Sequence, residues 1–261
     1  MNAAAEWATV RVLWARDVKR FFRQRSRVVG ALLQPVIFWL VIGSGFRSSF
    51  RLPGMEDLDY AQYFFPGVLA MVLLFSCIYA TVTVIDDKAQ GFLLAVMAGP
   101  GSRWALVMGK CAGAVSIALM QAAAFLLLLP FAGAQVAGVD WFYLVTVMLV
   151  SSLAMAAAGL TMALWLDSQP AYLALMSVVL IPAWVLSGGL FPLKGAGPVL
   201  SALMTINPMR FCVEGLRRAL YGDGAALTIG SLAETRYEVW VLLWWALGFV
   251  ASAAWVASDR K

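Results

Sequence analysis

Six stretches of this 261-residue chain run for about 20 residues each without a charged side chain. They fall at 28–46, 63–85, 111–131, 141–166, within 168–193, and at 239–258. A bilayer core of about 30 Å is crossed by about 20 apolar residues of helix. The composition demands such a solvent. Hydrophobic residues make up 62% and charged residues 13%, against about 25% charged in ordinary soluble domains. A soluble fold of this size could not cover that apolar surface, and disorder is excluded for the same reason. The expected fold is an all-α membrane protein. Its transmembrane domain covers 28–258, with spans at about 28–46, 63–85, 111–131, 141–166, 171–190 and 239–258. Gln34-Pro35, Pro130 and Pro182 are placed to kink the first, third and fifth spans, because neighbouring helices can satisfy the backbone groups that proline frees.

An even number of spans puts both termini on one side. Of the 19 Lys and Arg residues, 12 fall on that side and 7 opposite. The basic side is therefore expected to be cytoplasmic. Trp141, Trp240, Trp244, Trp245, Tyr60 and Tyr63 fall at outer ends, and Trp104, Trp165 and Trp255 at inner ends, as two interfacial belts would. Trp39 and Trp184 lie deeper, to pack between helices or face a pathway. The first apolar run is too long for the core of a secretory signal and reads as a retained helix.

Three segments lie outside the spans. Residues 1–27 contain an amphipathic helix at 6–27. Trp7, Val10, Trp14, Val18, Phe21 and Phe22 recur every three or four residues, opposite Arg16, Lys19, Arg20 and Arg23. It suits a cytoplasmic interface helix anchored to anionic lipid, or an elbow that also touches a cytoplasmic partner. The second segment, 86–97, begins Asp86-Asp87-Lys88, continues through Gly91, Phe92 and Leu93, and meets Gly99-Pro100-Gly101. A short helix there could dock in a groove of another protein or rest on the membrane. The third is 194–238. Asn207-Pro208 supplies an N-cap and a first-turn proline for a helix to about Tyr221, before Gly222-Asp223-Gly224. Arg210, Glu214, Arg217 and Arg218 are spaced for pairing. The segment could re-enter the membrane from outside or lie flat on the outer leaflet.

Much chemistry is missing. The chain has no histidine, and Cys77, Cys111 and Cys212 are far apart, so no metal site or disulfide framework is expected. Gly109-Lys110 is followed by Cys111, and Trp104 stands where a P-loop needs glycine. No catalytic residues and no cofactor of the chain's own are expected. The spans lack the ionisable groups of an intramembrane proton relay. Nothing points to nucleic acid, since the net charge of +5 reports orientation.

Arg16-Asp17-Val18-Lys19-Arg20-Phe21-Phe22-Arg23 leads to Gln34-Pro35, and Phe65-Pro66-Gly67 opens the second span. Asp86-Asp87-Lys88-Ala89-Gln90-Gly91-Phe92 precedes Pro100-Gly101-Ser102-Arg103. Ser187-Gly188-Gly189-Leu190-Phe191-Pro192 precedes Asn207-Pro208-Met209-Arg210-Phe211 and Glu214-Gly215-Leu216-Arg217. This order resembles the permease subunits of type 2 ABC exporters, with a texture closest to bacterial drug- or lipid-export permeases. Asp86-Asp87 departs from the glutamate that often begins that run in the family. The resemblance implies two permease copies, as a homodimer in the inner membrane, and two separate ABC ATPase subunits that use ATP and Mg. It makes Asp86, Asp87, Lys88, Gly91, Phe92 and Leu93 a coupling helix. Arg16, Lys19, Arg20, Phe21 and Phe22 become part of the interface helix. Asn207, Pro208, Arg210, Glu214, Arg217 and Arg218 become an outer gate. A membrane scaffold that moves nothing, and a secondary transporter, are the alternatives.

Overall fold

The structure, a computed structural model, describes residues 3–46, 59–99, 101–133, 136–192, 197–223 and 237–259. Pro100 and parts of the 194–238 segment, Lys194 and Gly224 among them, lie outside the described residues. All regular structure among the described residues is helical. Two helices begin the chain, α1 (Ala3–Arg23) and α2 (Arg25–Gly45). Next come α3 (Tyr60–Thr81), α4 (Thr83–Ala89) and α5 (Phe92–Met97). Then follow α6 (Arg103–Leu126), α7 (Trp141–Trp165) and α8 (Gln169–Trp184). After a π-turn at Val185–Gly189 come α9 (Pro198–Ile206), α10 (Pro208–Tyr221) and α11 (Glu238–Asp259). Among the described residues, six helices are long and apolar enough to cross a membrane: α2, α3 with α4, α6, α7, α8 with the π-turn, and α11.

Helix α3 is the axis of the bundle. It is apolar on every side, so burial all round is its stable state. It packs against α2, α6, α7, α8 and α10, and Phe64, Phe65, Val68, Leu69, Val72 and Leu73 have no exposed surface. Trp39 and Trp184 pack in this core. Trp39 stacks edge-on with Phe65 and Phe125 and donates to Ala61 O, while Trp184 donates to Gly67 O.

Some boundaries differ from the sequence reading. Helix α6 starts at Arg103, where Ser102 caps it by accepting from Ala105 N. The charged residues before Cys111 therefore belong to the helix, and Lys110 is buried in it. Pro130 kinks nothing, because it sits in the 3-10 turn Leu129–Ala132 after α6 has ended. Residues 86–97 hold the end of α4 and all of α5. Gly91 separates them with φ +71°, a left-handed conformation that glycine adopts without steric cost.

Two helix interruptions are repaired by side chains. Pro66 inside α3 has no N–H to give to the carbonyl one turn earlier. That carbonyl, Gln62 O, accepts instead from the Tyr221 hydroxyl of α10 at 2.7 Å. The π-turn leaves Gly188 with φ +80°. Gly188 O accepts from the Tyr63 hydroxyl at 2.8 Å and from Arg217 Nη2 at 3.1 Å.

The backbones of α3 and the π-turn approach closely at a pair of glycines. A Cβ on Gly67 would lie 2.7 Å from Gly189 Cα, whereas one on Gly30 would meet nothing within 4 Å. Overpacking of this kind costs about 1–3 kcal/mol. Gly67→Ala is therefore expected to lower the thermal unfolding midpoint in detergent, and Gly30→Ala to leave it unchanged or raise it slightly. Equal tolerance of the two substitutions would remove this contact from the account.

Candidate functional site

Helix α4 carries Asp86, Asp87 and Lys88 in succession. Consecutive side chains on a helix point about 100° apart, so the three reach different neighbours. Asp87 is fully buried. Arg16 approaches it with both terminal nitrogens, at 2.9 and 2.6 Å. Arg20 Nη1 adds a contact at 2.9 Å and Lys110 Nζ one at 2.6 Å. Each carboxylate oxygen thus takes two donors, which fills the roughly four acceptor sites of the group.

The partners are themselves held. Lys110 donates to both oxygens of Asp17, at 3.0 and 2.8 Å. Arg20 Nη2 reaches Asp86 at 3.2 Å, and Gln169 donates to the other oxygen of Asp86. Three cations thereby face three carboxylates. The hydrogen bond from Arg16 to Asp87 raises the arginine pKa further against the opposing effect of burial, so Arg16 stays charged at any working pH. Its guanidinium also lies over the Phe92 ring, 3.8 Å from the centroid. Small residues on α6 permit the approach: a Cβ on Gly109 would lie 2.9 Å from Leu13 Cβ, and one on Gly113 would lie 3.3 Å from Asp17 Cβ.

At the other end of the bundle, α10 is buried among α3, α7, the π-turn and α11. It is not a helix lying flat on a surface. Asn207 caps it as the sequence suggests, accepting from Met209 N at 3.0 Å. Arg218 has no exposed surface and meets Glu238 of α11 at 2.7 Å, Asp223 at 3.3 Å and Glu214 at 3.9 Å. Arg210 lies 3.4 Å from Glu214. Tyr143 of α7 donates to the second oxygen of Glu238.

Several expectations are corrected. Asp87 is enclosed by its own chain, and Lys88 turns to the end of α7. Leu93 is also buried in the chain's own core, and Phe92 is half-buried under Arg16. The large apolar side chain that α5 leaves open is Leu94, at 69% exposure. On α1 the buried stripe is Leu13, Asp17 and Phe21, while Trp7 and Phe22 are exposed and Lys19 points outward. Asp17, Lys110, Gln169, Tyr143 and Glu238 escaped the sequence reading. Asp17 had a signal, since it lies four residues from both Leu13 and Phe21 and so shares their face.

The sequence matches the family described as ABC-2 type transporter over residues 8–221. The chain belongs to that family. It is a multi-pass membrane permease, a transport subunit rather than an enzyme. A putative transport permease, ycf38, of Cyanophora paradoxa is 25% identical over 84% of this chain and 78% of its own length. Nodulation protein J of Neorhizobium galegae is 24% identical, with coverage of 85% and 82%. A probable multidrug ABC transporter permease, YbhR, of Escherichia coli K12 is 27% identical over 78% of this chain. The permease spans 54% of that relative, about half its length.

Breaking a buried ion pair costs about 3–5 kcal/mol, because the remaining charge stays buried. Lys110→Met and Asp17→Asn should each destabilise the permease in detergent unfolding. The double variant should lose clearly less than the two single losses together. Additive losses would show that the two groups are not coupled.

Proposed function

We propose that this permease is the membrane subunit of an ATP-driven exporter in the inner membrane, with both termini cytoplasmic. Two copies form the pathway, and two separate ABC ATPase subunits supply the energy from ATP and Mg. The excess of Lys and Arg on the terminal side supports the orientation. On this reading α1 lies at the cytoplasmic interface, with Trp7, Trp14 and Phe22 toward lipid. Helices α9 and α10 re-enter the membrane from outside, and the buried Arg218–Glu238 network holds them as an outer gate. The cargo is hydrophobic or amphipathic. An apolar cavity of about 220 Å³ between α3 and α8 is in keeping with that class.

The observation that carries the coupling role is the presentation of α5. Its inner side is pinned by Leu93, and Phe92 lies beneath Arg16. Leu94 and Ala95 are left open on the other side. A six-residue helix cannot hold its shape alone, so the charge cluster beneath it gives a partner a fixed surface. Burying one leucine is worth about 1.5–3 kcal/mol, or roughly ten- to a hundredfold in affinity. Leu94→Asp should therefore reduce capture of the ATPase from detergent extracts by about tenfold or more while leaving the permease folded. Undiminished capture would refute docking through α5.

A further inference from the structure

Lys88 faces away from the Asp87 cluster. Its Nζ donates to Leu164 O at 3.2 Å and Leu166 O at 3.1 Å, and pairs with Asp167. The last carbonyls of a helix have no partner within the helix, and a cation there also opposes the helix dipole. Lys88 thus closes the end of α7 and holds the turn into α8. Asp86, two residues earlier, accepts from Gln169, the first residue of α8. Ser168 then caps α8 by accepting from Ala171 N. Side chains of α4 thus hold both the turn that leads into α8 and its first residue.

The rest of α8 is held sparsely. Its buried residues are Tyr172, Met176 and Trp184. The Tyr172 hydroxyl meets Thr81 Oγ1 near the gripped head, at 2.7 Å, and Trp184 is fixed to Gly67 at the far end. Between these points, Leu173, Met176, Ser177, Leu180 and Ile181 line one wall of an open cavity of about 220 Å³, opposite residues 74–79 of α3. Helix α8 is a strut fixed near its two ends, with Met176 its one buried side chain between them and an open groove beside it. Helices α3, α6 and α7, by contrast, are buried over most of their length.

We propose that Lys88 and Asp86 carry displacement of the α4–α5 segment directly onto the head of α8, and so reshape the cavity that α8 walls. Lys88 is then a positioning residue of the transport cycle, acting through the α7–α8 turn. The inference rests on the reading that an ATPase moves α5. It adds the route by which that movement reaches the pathway. Because the polar contacts of Lys88 are to the end of α7 and Asp167 and none is to α5, its removal is expected to leave the docking surface in place. A hydrocarbon of similar length keeps the packing but abandons the two carbonyls and Asp167. An arginine keeps the charge and the donors.

The test uses the complex of the permease with the ATPase that copurifies with it, reconstituted in lipid nanodiscs. A bimane fluorophore is attached at Ser177→Cys in a background without Cys77, Cys111 and Cys212. ATP with vanadate should shift the bimane emission in the parent complex. Lys88→Met should retain ATPase capture, and ATP hydrolysis within about twofold of the parent, yet lose at least four-fifths of the shift. Lys88→Arg should restore half of it or more. A full shift in Lys88→Met, or no shift in the parent, would overturn the proposal. So would loss of ATPase capture in Lys88→Met, since that would place Lys88 in docking. Failure of the underlying reading shows separately, as undiminished capture by Leu94→Asp.

Discussion

A carboxylate removed from water is costly unless donors replace the water around it. Asp87 meets that condition with four contacts from three side chains, contributed by α1 and α6. Much of this end of the permease follows from satisfying that one group. Arg16 and Arg20 reach it only if α1 lies along α6, and α1 can lie there only because Gly109 and Gly113 present no side chain. Lys110 bridges Asp87 to Asp17, which fixes the rotation of α1 about its axis. With α4 held, the left-handed turn at Gly91 directs α5 so that Leu93 points in and Leu94 points out. The exposed side of α5 is thereby set by an ion cluster that lies buried beneath it.

The opposite end is organised by a different need. Pro66 and the π-turn both interrupt helices inside an apolar bundle, where an unpaired carbonyl is expensive. Tyr221, Tyr63 and Arg217 supply the missing donors. Two of these three come from α10, so the helix breaks of α3 and α8 are also what seat α10 between them. The buried Arg218 then ties α10 to α11 through Glu238. Each end is thus cross-linked by polar side chains, while the middle relies on apolar packing around α3. Both are sparse along α8, whose contacts with α3, α10 and the π-turn are few.

The spans were legible because lipid punishes charge over a fixed length, and the six uncharged runs report that directly. The start and stop of α10 were legible for a local reason: Asn207, Pro208 and Gly222 each act on the backbone beside them. The ion cluster was not, because Asp17 and Lys110 are 93 residues apart and Arg16 and Asp87 are 71 apart. Nothing in either neighbourhood names the other. Counting uncharged runs also works against residues such as Lys110, which end a run on paper yet continue the helix in space. The burial of Leu93 rather than Leu94 depends on the turn at Gly91, and a glycine reads equally well as a stop or as a link. The Trp7 and Trp14 stripe was recognised as one face, but periodicity does not say whether lipid or protein covers it.

The Asp87 cluster holds α1, α4 and α5 as one unit. Hydrogen–deuterium exchange by mass spectrometry on the permease in nanodiscs tests it most directly, comparing the parent with Asp87→Asn. Loss of the Asp87 charge should give faster exchange throughout Ala3–Arg23, Thr83–Ala89 and Phe92–Met97, with Pro208–Tyr221 unchanged. Exchange that rises only beside residue 87, or equally at both ends of the bundle, would contradict it.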